Sequence, residues 1–419
     1  MTATDSLGLA LTGASDKAAA LYGEALDAYH CYSGPAFPRM MAALADSPGF
    51  VMGQVLKGYM TLVGGDRATR AMGEEALAAL DGVRGDAREQ GHVAAVRAIG
   101  AGEFRQAARI LEDVAIAEPR DLLALQAGQF MDFLTGDARM LRDRIARARP
   151  AWTPDMPNYH AILGLHAFGL EETGLYDRAE AAGREAVARQ PRNAWAQHAV
   201  AHVLEMQDRR AEGVAWMRAD PDAWSRDSFF AVHNWWHLTL FHLGLGEIAE
   251  ALAVYDGQIR GGGSTMSFDL VDASALLWRL KLADVDVGDR WAPLADAWAG
   301  QAHGALAFDD AHAMMAYVGA ERDADAQALL ATMTAAAEGP GDAAEVMREV
   351  GLPVAGAIRA FGAGDAARAV ALLRDVRSRA ARFGGSHAQR DLLDLTLIAA
   401  AARAGETSLE RALRAERAA

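Results

Sequence analysis

Apolar positions along the chain recur at the three- and four-residue spacing of amphipathic helices. The clearest example is residues 174–191, GLYDRAEAAGREAVARQP. Gly174 ends a first helix, and Pro191 stops the second because its ring and its missing N–H interrupt the hydrogen-bond ladder. The residues that pack the second helix are Tyr176, Ala179 and Ala186. The pattern predicts a helical hairpin.

The hairpin pattern repeats along the chain. Its register returns in GEFRQA (102–107), GEIAEA (246–251) and GDAARA (364–369), and Gly65 and Gly136 fit the same helix-ending position. Spacings of roughly 34 to 44 residues are typical of tetratricopeptide repeats, each of which is a pair of helices. The predicted starts of the first helices lie near Val51, Arg88, Leu122, His160, Ala194, Val232, Val271, Leu306, Val350 and Asp391.

These repeats predict an all-α fold, a tetratricopeptide-like superhelix that encloses a concave groove or channel. About ten helical hairpins would form a single domain over residues 1–419. Within it, residues 1–50 would be an N-terminal capping hairpin, with helices at 18–32 and 37–44, and residues 385–419 a C-terminal capping hairpin. The chain shows no convincing alternation of the kind that marks strands.

Composition supports helices and narrows the range of partners. Hydrophobic residues make up 52% of the chain but aromatic residues only 7%, which suits helices packed on helices better than a β-sandwich. The 41 basic and 56 acidic side chains give a net charge of −15, which argues against binding to nucleic acid or an anionic membrane. A single cysteine, Cys31, and the lack of a signal sequence or a long apolar run predict a cytoplasmic protein. The oligomeric state stays open.

Four strings in the chain resemble the tetratricopeptide repeat protein 38 family. They are AVAHVLEMQ (199–207), HNWWHL (233–238), LVDASALLWRL (270–280) and SHAQRD (386–391). The resemblance covers nearly the whole chain and implies an all-helical solenoid whose first helices line the concave surface. It implies no settled activity, so the functional argument depends on the residues themselves.

The first helix that starts near Ala194 carries a polar stripe. Trp195, His198, His202 and Glu205 are spaced by three, four and three residues, so they share one face of the helix. The next first helix repeats the pattern with His233, Trp236 and His237. Histidines four residues apart on a helix are the usual geometry for two imidazole ligands of one metal ion. A divalent metal is therefore one option, and acid–base catalysis by histidine is the other.

Further candidates lie on the other first helices. Glu171 ends the preceding first helix. A histidine that is oriented by a carboxylate could act as a general base, and Arg390 could hold an anionic group of the substrate. The candidate catalytic residues are His198, His202, His233, His237, Glu205, Asp272, Asp310 and His387. The candidate substrate-binding residues are Trp195, Trp236, Glu171, His303, Arg390 and Asp391.

Several polar residues also have plain structural interpretations. His166, His242 and His312 fit core positions, each bonded to a carbonyl group, and Asp269 and Ser386 fit helix N-caps. The charged run Arg142–Arg149 is typical of a solvated helix face.

Two functions follow from the stripe. The first is a channel that binds a small molecule and acts on it as a hydrolase or lyase, with or without a metal ion. The alternative is a non-catalytic scaffold that holds a peptide or a partner protein in the groove.

Overall fold

The computed structural model describes residues 3–63 and 67–417, so the predicted helix end at Gly65 lies outside the described residues. The described residues are about three-quarters helix, with one pair of two-residue strands, β1 (Ala3–Thr4) and β2 (Ala10–Leu11), which are antiparallel. The prediction of an all-helical fold is confirmed. Within the described residues, none of the helices combines the length and the apolar character needed to cross a membrane.

The helices fall into two compact units. Within the described residues, the first unit comprises 3–63, 68–133 and 137–254, and the second comprises residue 67, 134–136 and 255–417. The helices up to residue 254 are α1 Asp16–Cys31, α2 Ala36–Asp46, α3 Val51–Thr61, α4 Arg67–Ala79, α5 Ala87–Gly100, α6 Phe104–Ala117, α7 Leu122–Thr135, α8 Ala138–Ala148, α9 Tyr159–Glu171, α10 Tyr176–Arg189, α11 Ala194–Met206, α12 Arg210–Arg218, α13 Pro221–Ser225, α14 Ala231–Gly244 and α15 Ile248–Val254.

The remaining helices belong to the second unit. They are α16 Ser267–Leu282, α17 Trp291–Ala299, α18 Ala307–Gly319, α19 Asp323–Ala337, α20 Gly341–Val346, α21 Leu352–Gly362, α22 Ala366–Val376, α23 His387–Arg403 and α24 Thr407–Arg417. Short 3-10 segments occupy Arg149–Ala151, Gly288–Arg290 and Arg377–Phe383, and π-helical turns occupy Tyr255–Ile259 and Met347–Gly351.

The predicted first helices agree closely with the observed ones. Seven of the ten predicted starts lie within one residue of a helix start, at α3, α5, α7, α9, α11, α14 and α18. Helix α23 starts four residues before the predicted Asp391, because Ser386 and Gln389 form a capping box that fixes the first turn. The expected N-cap at Ser386 is therefore confirmed, whereas Asp269 lies inside the first turn of α16 and is not its N-cap.

The glycines that mark the repeat register adopt the left-handed conformation that the pattern requires. Gly174 has φ +74° and Gly136 has φ +71°, and both follow the end of a first helix. Only glycine enters this region without a steric penalty from Cβ. The register inferred from the sequence thus corresponds to a real backbone signal at the end of each of these helices.

Three first helices of the first unit bring the candidate site together. Helix α11 packs against both α9 and α14, and α10 packs across α9 and α11. A small core of Leu170, Ala179 and Val203 joins α9, α10 and α11, with Leu175 and Tyr176 packed against it. The apolar face of α11 is thereby separated from the face that carries its histidines.

The N-terminal segment, residues 10–34, crosses several hairpins of the first unit. Early in the segment, the Thr12 N–H donates to Glu89 of α5. Further along, His30 is bonded to Gln126 of α7, and the Gly34 N–H donates to the carbonyl of Asp227, before α14. The segment therefore does more than cap one end of the first unit.

The second unit closes its first helices on one another. Helix α16 contacts α18, α18 contacts α21, α21 contacts α23, and α23 returns to α16. The contact between α16 and α23 includes a hydrogen bond of 3.0 Å from the indole N–H of Trp278 to the hydroxyl of Thr396. The contacts among these four helices therefore form a closed ring within this unit.

Candidate metal centre

Helices α11 and α14 bring four histidines into one cluster. His198 and His202 lie one turn apart on α11, and His233 and His237 lie one turn apart on α14. The two Nε2 atoms of His198 and His233 are 3.1 Å apart, and one ligand nitrogen of each of the four rings lies within 4.8 Å of the others. We call this set the four-histidine cluster. The two histidine pairs singled out in the sequence therefore lie side by side in the structure.

The four rings are buried and close together. The most exposed of them, His233, has only 3% of its surface exposed. Ring centroids are 4.3 Å apart for His198 and His202 and 4.5 Å apart for His202 and His237. Burial lowers the pKa of His198 well below its usual value, and the neighbouring imidazoles lower it further. His198 is therefore neutral near pH 7, which is the state that binds a metal ion.

Two carboxylates at the end of α9 adjoin the cluster. Glu171 and Glu172 are 1% and 4% exposed, and together with His202 they offer three ligand atoms within 4.8 Å of one another. Nδ1 of His202 lies 3.4 Å from Oε2 of Glu171. The ring of His202 thus belongs to two groups of possible ligands, one of imidazoles and one of carboxylates.

Aromatic rings line one side of the cluster. Phe168 of α9 and Phe230 before α14 contact His198 at centroid distances of 5.4 and 5.1 Å. Trp195 contacts His198 at 4.9 Å, and Tyr32 of the N-terminal segment stacks on Trp195 at 5.0 Å. We call Tyr32, Phe168, Trp195 and Phe230 the aromatic wall. It keeps water away from the imidazoles and lowers the local dielectric constant.

Trp236 supports the opposite pair of rings. It stacks on His233 with an interplanar angle of 19° and meets His237 edge-on, at centroid distances of 5.3 and 4.9 Å. Both tryptophans of the predicted stripe are buried, Trp195 to 8% exposure and Trp236 to 0%. They hold the histidine rings in place as part of the packed interior.

The geometry of the four-histidine cluster suits a transition metal. A metal ion bonded to imidazole nitrogens at about 2.0–2.1 Å holds neighbouring donors roughly 3.0–3.4 Å apart. The observed 3.1 Å between the Nε2 atoms of His198 and His233 falls in this range, and it is also a hydrogen-bond distance between a protonated and an unprotonated nitrogen. Imidazole donors are typical of zinc, copper, iron and nickel.

The second unit contains a separate group of predicted residues. His303 directs Nδ1 to Oδ1 of Asp310 at 3.0 Å, and its Nε2 lies 3.3 Å from the hydroxyl of Tyr317. Burial raises the pKa of the neighbouring Asp309 to about 7, and the charge of Asp310 adds to the shift. This Asp–His–Tyr chain orients the imidazole of His303 and can pass a proton along it.

The other predicted site residues occupy different surroundings. Asp272 is buried on α16 of the second unit, and Glu205 is half-buried near the end of α11. His387 is exposed at the start of α23, and Arg390 donates to the carbonyl of Gly385. In the last hairpin, Asp391 forms an ion pair with Arg417 of α24. The residues that the described units bring together are thus the four-histidine cluster with Glu171, and His303 with Asp310.

The remaining predicted core histidines are buried, but their partners differ from the expectation. His312 bonds through Nδ1 to the carbonyl of Phe308 at 2.8 Å, as predicted. His166 instead faces the guanidinium of Arg149, and His242 pairs with Glu247 at 2.6 Å. Charged partners replace the expected carbonyls at these two positions.

Sequence reasoning missed most of the aromatic wall. Phe168 occupies the position in its first helix that His202 occupies in the next, so the register could have found it. Tyr32 reaches the site from the N-terminal segment, across 163 positions from Trp195 (195 − 32), and no local pattern indicates this contact.

A search of protein-family models found none that matches the chain. The fold and the site together define an all-helical protein with a buried four-histidine cluster in its first unit.

Proposed function

We propose that the first unit binds one divalent transition-metal ion on the four-histidine cluster, and that this centre binds a small molecule and acts on it as a hydrolase or lyase. The convergence of four imidazole nitrogens within 4.8 Å carries the proposal. We also propose that the chain is a member of the tetratricopeptide repeat protein 38 family and that residues 1–419 form one superhelix.

A metal ion explains the cluster better than a network of hydrogen bonds does. A neutral imidazole has one donor and one acceptor, so buried rings that face one another need matching tautomers. A protonated ring is disfavoured here, because burial and the neighbouring imidazoles both lower the pKa of His198. One divalent ion accepts a lone pair from each neutral ring and supplies the positive charge without a buried proton.

The chain's own residues would hold and orient the reactants. When bound, a metal ion polarises a carbonyl or phosphoryl oxygen as a Lewis acid. Glu171 would orient the ring of His202, and the aromatic wall would keep water away from the centre. An ion that prefers six ligands would keep positions for that ligand beyond its imidazole donors.

The test is metal analysis of protein purified without a nickel column or chelator. We expect at least one equivalent of zinc, iron, copper or nickel in the wild type, and its loss in His198→Gln, because one of the four donors is removed. His312→Gln is the matched control, since His312 is equally buried but bonded to a carbonyl. This variant should keep the metal.

Metal-free protein that also fails to take up Zn²⁺, Co²⁺ or Ni²⁺ after dialysis would overturn the proposal. Equal metal loss in His198→Gln and His312→Gln would point to a general loss of folding instead. In the first case the non-catalytic scaffold, with a peptide or partner protein as its ligand, becomes the leading function.

A further inference from the structure

Two adjacent carboxylates occupy an unfavourable place at the end of α9. Glu171 is the last residue of this helix and Glu172 its C-cap, where the helix dipole already places partial negative charge. Both side chains are more than nine-tenths buried. Burying two acidic groups at this end of a helix is costly, so a nearby positive charge would stabilise them.

The field of these carboxylates reaches a neighbouring residue. Tyr176, at the start of α10, has a raised pKa, chiefly because it is partly buried and further because Glu171 and Glu172 lie near it. Removing the negative charge of Glu171 and Glu172, or adding a cation beside them, would therefore lower the pKa of Tyr176.

The distance between His202 and Glu171 matches two ligands of one ion. The separation of 3.4 Å between Nδ1 and Oε2 is longer than the common 2.7–3.2 Å of an N–H···O hydrogen bond. Around a tetrahedral ion with bonds of about 2.0–2.2 Å, neighbouring nitrogen and oxygen ligands lie roughly 3.3–3.4 Å apart. The observed separation of 3.4 Å falls in this range.

An imidazole has two nitrogens on different sides of its ring, so one histidine can bind two ions. In His202, Nδ1 is the atom that faces Glu171, and the ring also supplies a ligand nitrogen to the four-histidine cluster. We propose that a second divalent cation binds between Glu171, Glu172 and Nδ1 of His202, so that His202 bridges two metal positions. This inference rests on the proposed function, because the bridge requires an ion on the four-histidine cluster.

The mixed ligand set indicates which ions would bind. Two carboxylate oxygens and one imidazole nitrogen are typical ligands of zinc, manganese and ferrous iron. A bridging imidazole must lose both ring protons. Binding of the second ion therefore releases the remaining ring proton to solvent, and its affinity should rise with pH.

The experiment is a stoichiometric titration of metal-free protein with Zn²⁺, followed by elemental analysis after gel filtration. We expect two equivalents in the wild type and one in the double variant Glu171→Gln/Glu172→Gln, because the carboxylates are the ligands that only the second ion uses. Glu74→Gln/Glu75→Gln on α4 is the matched control, since this adjacent acidic pair is largely exposed. It should keep two equivalents.

The outcomes separate this inference from the proposed function. One equivalent in both wild type and Glu171→Gln/Glu172→Gln would overturn the bridge and leave Glu171 as a positioning residue for His202, with the first site intact. Two equivalents in both would place the second ion elsewhere and also overturn it. No bound zinc in the wild type would overturn the proposed function as well.

A milder variant covers the case in which the double variant does not fold. Glu172→Asp keeps the charge but shortens the side chain, so we expect weaker binding of the second equivalent and unchanged binding of the first. Equal affinity for both equivalents in this variant and the wild type would contradict a role for Glu172 as a ligand.

Discussion

Buried polar residues of the first unit form hydrogen-bonded networks, in which each side chain is oriented by its partners. Nε2 of His92 lies 2.9 Å from Asp121, and Tyr59 completes the chain at Nδ1 of the same ring. Burial alone would raise the pKa of Asp121, but the adjacent His92 and Arg88 hold it well below the usual range. The structure places His92 of α5 in this buried network, away from the four-histidine cluster. A histidine's role therefore depends on partners that its own helix does not reveal.

Buried histidines make the stability of the protein depend on pH. The pKa values of His30 and His312 are lowered to about 4, mainly by burial, against about 6.5 in an unfolded chain. The unfolded state takes up more protons between these values. The contribution of these two histidines to the free energy of unfolding is therefore complete above pH 6.5, and it is lost as the pH falls towards 4.

We expect His312→Gln to reduce this pH dependence, because the unfolded variant no longer takes up a proton at residue 312. The slope between pH 6 and 4.5 should decrease by up to about 1.4 kcal/mol per pH unit, as measured by urea denaturation of the metal-free protein. His387→Gln is the control, since this side chain is exposed. Parallel pH curves for wild type and His312→Gln would contradict the assignment.

At the scale of the helices, much of the architecture could be predicted because its signals are local. Glycine at the helix end, proline at the hairpin end and the apolar spacing fixed most first helices within one residue. The same local reasoning found both histidine pairs. It was wrong about the run Arg142–Arg149 as a whole, because Arg144 is buried and forms a bidentate ion pair with Asp132. Burial of that kind depends on a neighbouring helix, which the run itself does not specify.

Two glycines of the register offer a matched test of backbone strain. Gly174 has φ +74° with open space around it, whereas a Cβ at Gly136 would also collide with the carbonyl of Ala381. We expect Gly174→Ala to lower the free energy of unfolding by about 1–2 kcal/mol, from the left-handed backbone alone. Gly136→Ala should cost clearly more. Equal losses in thermal or chemical denaturation would show that the backbone at residue 136 moves away.

At the scale of the whole molecule, the N-terminal segment completes the candidate metal centre from a great distance along the chain. Tyr32 stacks on Trp195 and contacts Phe230 at 5.2 Å, and its carbonyl accepts a hydrogen bond from Ser228. This contact and the closed ring of the second unit were not predictable, because neither produces a repeat in the sequence. The single superhelical domain over residues 1–419 remains a prediction, and the described chain forms two compact units.

The aromatic wall should control how fast a bound metal ion leaves. We expect Tyr32→Ala to speed the transfer of bound Co²⁺ to an added chelator roughly tenfold, a change equivalent to about 1.4 kcal/mol. The reason is that removing the ring exposes Trp195 and the imidazoles behind it. Tyr32→Phe, which keeps the stacked ring, should behave as the wild type does. Equal rates in Tyr32→Ala and wild type would show that the ion leaves by another path.

The same N-terminal segment sets the order of events during synthesis. Tyr32 and its partner Ser228 are separated by 196 residues, so the ribosome makes the tyrosine long before the serine exists. At about 5–20 residues per second, the delay is roughly 10–40 s. Helix α11 carries His198 and His202 of the four-histidine cluster, and it is made before Phe230, the last residue of the aromatic wall. His233 and His237 of α14 are made only after Ser228. We therefore expect a nascent chain to acquire its ion only after α14 has emerged, because the four-histidine cluster is incomplete throughout this interval.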